Sequence, residues 1–186
     1  MPLAGGFSSA PTTLESIVPL LHAPFHPIGV GVAQIVTLPG QLLISLLLVG
    51  AAAWRLWTRG RREAAVCWLA AWLVAVAVEV VFRHTLTREP LYRHGVHLVG
   101  FDSSWPSGHA LRCALVAGAL ATAWPSLRLA LAIWLTAVII LLELVGGHTP
   151  TDLVGGLLLA TAAAAGSVTL ERSGRLRGFR LRRSSA

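Results

Sequence analysis

Five apolar runs, each close to 20 residues long, constrain this chain more than any other feature of its sequence. A helix rises about 1.5 Å per residue, so about 20 apolar residues cross the roughly 30 Å hydrocarbon core of a bilayer. The runs cover residues 35–54, 64–82, 107–124, 127–144 and 151–170. Because 55% of the residues are hydrophobic and only 12% are charged, an ordinary soluble domain is excluded. We therefore predict an all-α membrane protein built as a bundle of five transmembrane helices.

The same reading predicts one membrane domain with a short segment on either side. Residues 35–170 would form the membrane domain, and residues 171–186 would form a basic cytoplasmic tail. In residues 1–34, apolar side chains recur at helical spacing, which predicts a short external helix at the membrane interface. These side chains are Leu14, Ile17, Val18 and Leu21. If this helix enters the membrane, it would become a sixth, broken span.

The distribution of arginine predicts the orientation in the membrane. All fifteen basic residues are Arg: four lie between the first two runs, Arg128 lies where the third run passes into the fourth, and six lie in residues 172–183. Loops rich in Arg remain in the cytoplasm, so these segments should face inward. The amino terminus and the loops that join runs two to three and four to five would then face outward. A basic tail beside an apolar run is typical of an anchor to anionic lipid, and we expect no nucleic-acid partner.

Three arginines oppose this rule. Arg83, Arg88 and Arg93 fall in the predicted outer loop between the second and third runs, close to the membrane. Arginines close to the outer face of the membrane indicate a specific role, and we predict that they bind an anion.

Both predicted outer loops contain a histidine where a helix should begin. His109 follows Ser107 and Gly108 at the start of the third run, and His148 precedes Asp152 at the start of the fifth. A helix amino terminus presents unpaired N–H groups and the positive end of the helix dipole, which together bind phosphate. Imidazole titrates near neutrality, so it can attack in its neutral form or donate a proton in its charged form.

These residues resemble those of a known family. Residues 106–109, Pro-Ser-Gly-His, resemble the second signature motif of the type 2 phosphatidic acid phosphatase (PAP2) family, and His148 with Asp152 four residues later resembles the end of its third motif. The resemblance implies that His148 attacks phosphorus to form a phosphohistidine, that Asp152 orients it, and that His109 protonates the leaving oxygen. Ser107 and the N–H of Gly108 would bind phosphate oxygens.

Two parts of the family pattern differ here. The first motif, a lysine followed by Arg-Pro, is only echoed, with Arg83 in place of the lysine and Arg88 as its arginine. Arginine can hold a phosphate through two parallel hydrogen bonds. The Ser-Arg pair of the third motif falls on residues 141–142, both Leu. Arg112, one turn after His109, is the candidate that would supply the missing phosphate contact.

The resemblance thus implies a multi-pass lipid phosphatase with its active site on the outer face of the cell membrane. Its substrate would be a phosphomonoester or pyrophosphate on a lipid, such as a polyprenyl phosphate or diphosphate, phosphatidylglycerol phosphate or phosphatidic acid. The arginine-only, alanine-rich composition is typical of a bacterial gene of high G+C content, so a cell-envelope carrier lipid such as undecaprenyl diphosphate comes first. No metal or cofactor is expected, since His84, His94 and His97 lack the spacing of a metal site.

Two other functions stay open at this level. The same histidine could transfer the phosphoryl or headgroup to an acceptor alcohol, or the chain could bind anionic lipid without catalysis. The sequence leaves the identity of the lipid and the oligomeric state undetermined.

Overall fold

The computed structural model describes residues 27–85, 92–93, 96–97, 105–144, 148 and 150–173. Six α-helices make up most of this part of the chain: α1 Pro27–Thr37, α2 Leu42–Thr58, α3 Arg62–Thr85, α4 Gly108–Ala123, α5 Arg128–Leu144 and α6 Pro150–Ser173. Short 3₁₀ turns at Leu38–Gly40 and Pro125–Leu127 join α1 to α2 and α4 to α5. Two strands of two residues each, β1 Tyr92–Arg93 and β2 Val96–His97, pair antiparallel between α3 and α4.

The helices confirm the predicted all-α membrane fold. Three of them are long and apolar enough to cross a bilayer, at Arg62–Thr85, Pro125–Leu144 and Pro150–Glu171, with mean hydropathies of 2.3, 2.2 and 1.8. The bent pair formed by α1 and α2 adds a fourth span if it is counted as one. Helix α4 is a shorter apolar helix of 16 residues. Each of the five predicted runs therefore contains or overlaps a helix of the bundle.

The first run differs from the continuous span predicted for residues 35–54. Helix α1 ends at Thr37, and α2 starts at Leu42 after a bend of 53°. Pro39 causes the break, because proline has no N–H to donate, its ring clashes with the preceding turn, and it disfavours the helical conformation at Leu38. The residues of this break, Leu38–Gly40, lie against α4 and contribute to the site described below.

The bundle buries small side chains between helices and exposes large apolar ones on its surface. Its main core joins α2, α3, α4 and α6 through alanines packed around a few large residues, which include Leu56, Trp68, Trp72, Leu111 and Leu115. Leu47, Leu129 and Ile133 are more than 60% exposed, as expected of side chains that contact lipid. Small residues at helix contacts allow the close backbone approach typical of membrane bundles.

Two arginines connect neighbouring helices at the end of the bundle that lies away from the two histidines. The Arg55 side chain donates to the carbonyl of Ala123 at 3.2 Å and stacks on Trp124 with its guanidinium carbon 4.5 Å from the ring centroid. Arg61 pairs with Glu171 at 2.7 Å. The ends of α2, α4 and α6 and the start of α3 therefore lie together, and the histidines lie at the opposite end.

The remaining predictions about organisation fall on residues that the structure does not describe. These include the interfacial helix near residues 14–21 and the tail beyond Ser173. The boundaries at residues 34 and 170 stay predictions.

Candidate active site

The starts of α4 and α6 are joined directly. Ser107 caps α4, since its hydroxyl accepts a hydrogen bond from the N–H of Ala110 at 3.3 Å. The N–H of Ser107 donates to the carbonyl of Asp152 at 2.9 Å. Gly156 allows this approach, because a Cβ at that position would lie only 2.5 Å from the Ser107 carbonyl oxygen. Two helix amino termini, each a favourable place for an anion, therefore meet at one point.

His109 and His148 lie across this junction from each other. Their ring centroids are 6.3 Å apart and the ring planes are inclined at 49°. A phosphoryl group between two imidazoles needs about 3 Å to the attacking nitrogen and about 3 Å for the hydrogen bond to the leaving oxygen. The two imidazoles are thus neighbours that border one space, in which both can contact the same phosphoryl group.

Asp152 lies beneath His148 in the position expected of an orienting carboxylate. It is fully buried, and its Oδ2 is 3.9 Å from the Nδ1 of His148. This distance is longer than a hydrogen bond, although catalytic hydrogen bonds often tighten only when substrate binds. The spacing of four residues suggested the pair in the sequence, and the structure brings the two side chains together although His148 precedes the first residue of α6.

A buried carboxylate, Glu79, joins two of the predicted phosphate-binding arginines. Its Oε1 lies 3.1 Å from the Nη2 of Arg83, and its Oε2 lies 2.7 Å from the Nη1 of Arg112. Glu79 is 3% exposed, so both ion pairs are largely removed from water. Two guanidinium groups and one carboxylate leave the cluster with a net charge of +1, which suits an anionic ligand.

This cluster lies directly against Gly108 and His109. A Cβ at Gly108 would collide with Oε1 of Glu79 and would lie 2.8 Å from the Nη1 of Arg112. The Nε of Arg112 donates to the carbonyl of Gly40 at 2.6 Å. A Cβ at Gly40 would in turn lie 2.9 Å from the Cδ2 of His109. The break in the first span and the start of α4 are therefore packed together beside the predicted general acid.

Trp105 closes the site between α3 and α6. Its ring centroid is 5.3 Å from that of Phe82, at the end of α3. On its other side, a Cβ at Gly155 would lie 2.5 Å from the indole Nε1. The ring is half-buried and packs α3 against α6.

The position of the missing third-motif arginine is apolar in the structure as well. Leu142 is 8% exposed and packs with Ala110, Cys113 and Leu153. Arg112 directs its guanidinium to Glu79 and to the carbonyl of Gly40. Its role in phosphate binding stays a prediction, as do the roles of the other site residues.

The structure brings together seven of the eight predicted site residues: His109, His148, Asp152, Arg83, Ser107, Gly108 and Arg112. Arg88 lies outside the described residues, as does the side chain of Arg93. Within residues 27–85, 105–144, 148 and 150–173, no three His, Cys, Asp or Glu side chains are grouped to hold a metal ion.

Sequence reasoning missed the central place of Glu79. Its spacing of four residues from Arg83 indicates only an ion pair along one helix. A carboxylate within an apolar span is by itself a signal of function, and this signal could have identified the residue. The contact with Arg112 could not be predicted, since it depends on how α3 packs against α4.

Comparison with protein families agrees with this geometry. A family model described as the PAP2 superfamily matches residues 83–173, which contain both histidines, Asp152 and Arg83. The chain carries a PAP2 superfamily domain. This domain is an all-helical membrane fold, and it indicates a phosphatase function in general terms. Searches of the curated proteins and of the solved structures find no match.

Two residues that contact the site, Glu79 and Gly40, lie outside the segment that matches the family model. The PAP2 domain begins at Arg83, so Glu79 and Gly40 lie before it in the sequence. Both nevertheless contact side chains of the domain, Glu79 through Arg83 and Arg112, and Gly40 through Arg112.

Proposed function

We propose that this protein is a membrane lipid phosphatase that hydrolyses a lipid-linked phosphomonoester or pyrophosphate through a phosphohistidine intermediate. The observation that carries the proposal is the 6.3 Å separation of the His109 and His148 rings at two adjoining helix starts. The family match supports the phosphatase class, and the site geometry supports the histidine mechanism.

The first step is attack of His148 on phosphorus. Asp152 faces Nδ1, so the nucleophile is Nε2, and the bond from phosphorus to the leaving oxygen breaks as the N–P bond forms. His109 donates its proton to that oxygen, and the lipid alcohol or lipid phosphate departs. Asp152 stabilises the charge that develops on the His148 ring.

The second step is hydrolysis of the phosphohistidine. His109, now neutral, takes a proton from a water molecule, whose oxygen attacks phosphorus as the N–P bond breaks. Inorganic phosphate leaves and both histidines return to their initial protonation states. In each step, Arg83, Arg112 and the N–H groups at the starts of α4 and α6 stabilise the charge on the phosphoryl oxygens, so the mechanism requires no metal.

The substrate class follows from the place of the site at one end of the helical bundle. There it can receive a headgroup while the lipid chains stay in the bilayer. The arginine distribution supports an outward-facing site in a cell membrane with the carboxyl terminus in the cytoplasm. Among the candidate lipids, a polyprenyl diphosphate of a bacterial cell envelope is our first choice.

The test is release of inorganic phosphate by the detergent-purified protein from a panel of lipid phosphates, with and without a chelator. The panel contains polyprenyl phosphate and diphosphate, phosphatidylglycerol phosphate and phosphatidic acid. We expect release that resists the chelator and is lost in His148→Ala and His109→Ala. Undiminished release by His148→Ala would refute the mechanism, and loss of release in chelator would refute metal independence.

The same assay decides between hydrolysis and the two other functions. If the chain is a transferase, adding an acceptor alcohol converts the product from inorganic phosphate to a phosphorylated alcohol. If it only binds anionic lipid, it retains the lipid without releasing phosphate at any pH.

A further inference from the structure

We propose that Glu79 is a positioning residue of the phosphate site, and this inference rests on the proposed function. Its carboxylate holds Arg83 and Arg112 in place and thereby sets the position of Gly108 and His109. It does not touch the reacting atoms, and it lies before the segment that matches the PAP2 superfamily.

Glu79 is almost inaccessible to solvent, and both of its carboxylate oxygens pair with arginines. It is 3% exposed and uses one oxygen for each arginine, at 3.1 Å and 2.7 Å. A buried carboxylate is costly unless paired, and an apolar residue in its place would remove the one group that joins both arginines. The pairing therefore requires both arginines to remain where the carboxylate oxygens are.

The contacts of Glu79 lead to both residues at the start of α4, Gly108 and His109. From Glu79 they pass through Arg112 to the carbonyl of Gly40, which belongs to the break between α1 and α2. Gly40 lies against His109, and Glu79 itself lies against Gly108. One carboxylate thus connects α3, α4 and the broken first span at the two residues that would donate to the phosphate and to the leaving oxygen.

The negative charge of Glu79 also affects how strongly the site binds an anion. Glu79 reduces the charge of the cluster from +2 to +1, so it limits how strongly the site retains an anion. Without this carboxylate, the two arginines would hold a product phosphate more strongly, and the phosphate would leave more slowly. The carboxylate therefore has two separable effects: its position places the arginines, and its charge weakens product binding.

Two substitutions separate these effects. Glu79→Gln keeps the length of the side chain, removes its charge and replaces one carboxylate oxygen with an NH2 group, which cannot accept a hydrogen bond from an arginine. Glu79→Asp keeps the charge and retracts the carboxylate by about 1.5 Å, so that it cannot reach both arginines. We expect kcat per folded protein to fall about tenfold or more in both variants, because a displacement of about 1 Å in a catalytic group can cost about a hundredfold. KM should change less than kcat in both.

Inorganic vanadate, an analogue of phosphate, serves as the probe of charge. Its binding can be followed by the rise in Tm of the detergent-solubilised protein, whether or not the protein turns over a substrate. We expect Glu79→Gln to bind vanadate more tightly than the wild type, because the arginines lose the competing carboxylate. Glu79→Asp should bind it more weakly, because the negative charge remains while the arginines are displaced. A purely structural role would lower stability in both variants without this difference.

Glu171→Gln is the matched control, because Glu171 also pairs with an arginine but lies about 28 Å along α6 from Asp152. Its kcat and vanadate affinity should equal those of the wild type. If Glu79→Gln does not fold, the double variant Glu79→Gln/Arg112→Gln removes the uncompensated cation, and we expect it to fold with low kcat.

The possible results are distinct. Wild-type kcat and wild-type vanadate binding in Glu79→Gln would overturn the positioning role, and so would wild-type kcat in the double variant. If His148→Ala abolishes activity in the same assay while Glu79→Gln does not reduce it, only this inference fails. If no lipid is hydrolysed, the proposed function fails, and unchanged vanadate binding in Glu79→Gln would then overturn this inference separately.

Discussion

Replacement of Gly156 by alanine should displace the two halves of the active site from each other. Gly156 faces the first turn of α4, where a Cβ would lie 2.5 Å from the carbonyl oxygen of Ser107 and 3.2 Å from the N–H nitrogen of Leu111. The first distance is roughly 1 Å short of the 3.4 Å at which ordinary contact begins. Because the obstructing atom belongs to the backbone, no side chain can rotate away, and α6 must retreat from α4.

The displacement should reach the two proposed catalytic histidines, since His148 directly precedes α6 and His109 lies in the first turn of α4. A separation of about 1 Å between reacting groups costs about a hundredfold in rate. Overpacking of a tight contact also costs about 1–3 kcal/mol of stability. We therefore expect Gly156→Ala to fold with a lower Tm and to lose about two orders of magnitude in kcat.

The assay is phosphate release by the purified variant, with thermal unfolding in the same detergent as the measure of stability. Gly166→Ala is the control, because Gly166 lies on the same helix with no atom within 4 Å of a Cβ. The control should be active and at least as stable as the wild type, since alanine is the better helix former. Wild-type kcat in Gly156→Ala would refute the argument that this contact sets the distance between the histidines.

Three further predictions concern other parts of the molecule. Arg55→Ala removes a hydrogen bond to the end of α4 and the stacking on Trp124, so thermal unfolding should show a loss of about 1–3 kcal/mol while kcat stays unchanged; reduced kcat would contradict the assignment of this end as structural. His109→Ala should lose far less activity on an aryl phosphate, whose leaving oxygen needs no proton, than on a lipid phosphate; equal losses would exclude the general-acid role. The orientation can be tested by introducing single cysteines into a variant that lacks the two buried native cysteines. An impermeant thiol reagent added to intact cells should label His84→Cys and leave Arg59→Cys unlabelled. The reverse pattern would show that the protein has the opposite orientation.

The sequence predicted the fold through its apolar runs and predicted the start of α4 through local chemistry. Ser107 before Gly108 is a cap at a helix start, and the structure uses it as one. The break in the first span was within reach of the same reasoning, since Pro39 interrupts a helix wherever it falls. Averaged hydropathy alone hides such a break, because the strongly apolar residues on either side keep the average high across it.

The connections within the site depend on packing between helices and could not be predicted in the same way. The pairing of Glu79 with Arg112 and the contact of Gly40 with His109 join residues that are far apart in sequence. Periodicity identifies the face of a helix that is buried, but the choice of partner depends on the shapes of the surfaces that meet. The sequence therefore supplied the proposed catalytic residues, and the structure supplied the buried carboxylate of Glu79 beside them.

The central claim is that His148 carries the phosphoryl group. The most direct measurement is rapid acid-free quenching of the purified protein during turnover of a ³²P-labelled lipid phosphate, followed by mapping of the labelled residue. We expect a label on His148 that is stable in alkali and lost in acid, and no label in His148→Ala. A label on any other residue, or continued phosphate release by His148→Ala, would contradict it.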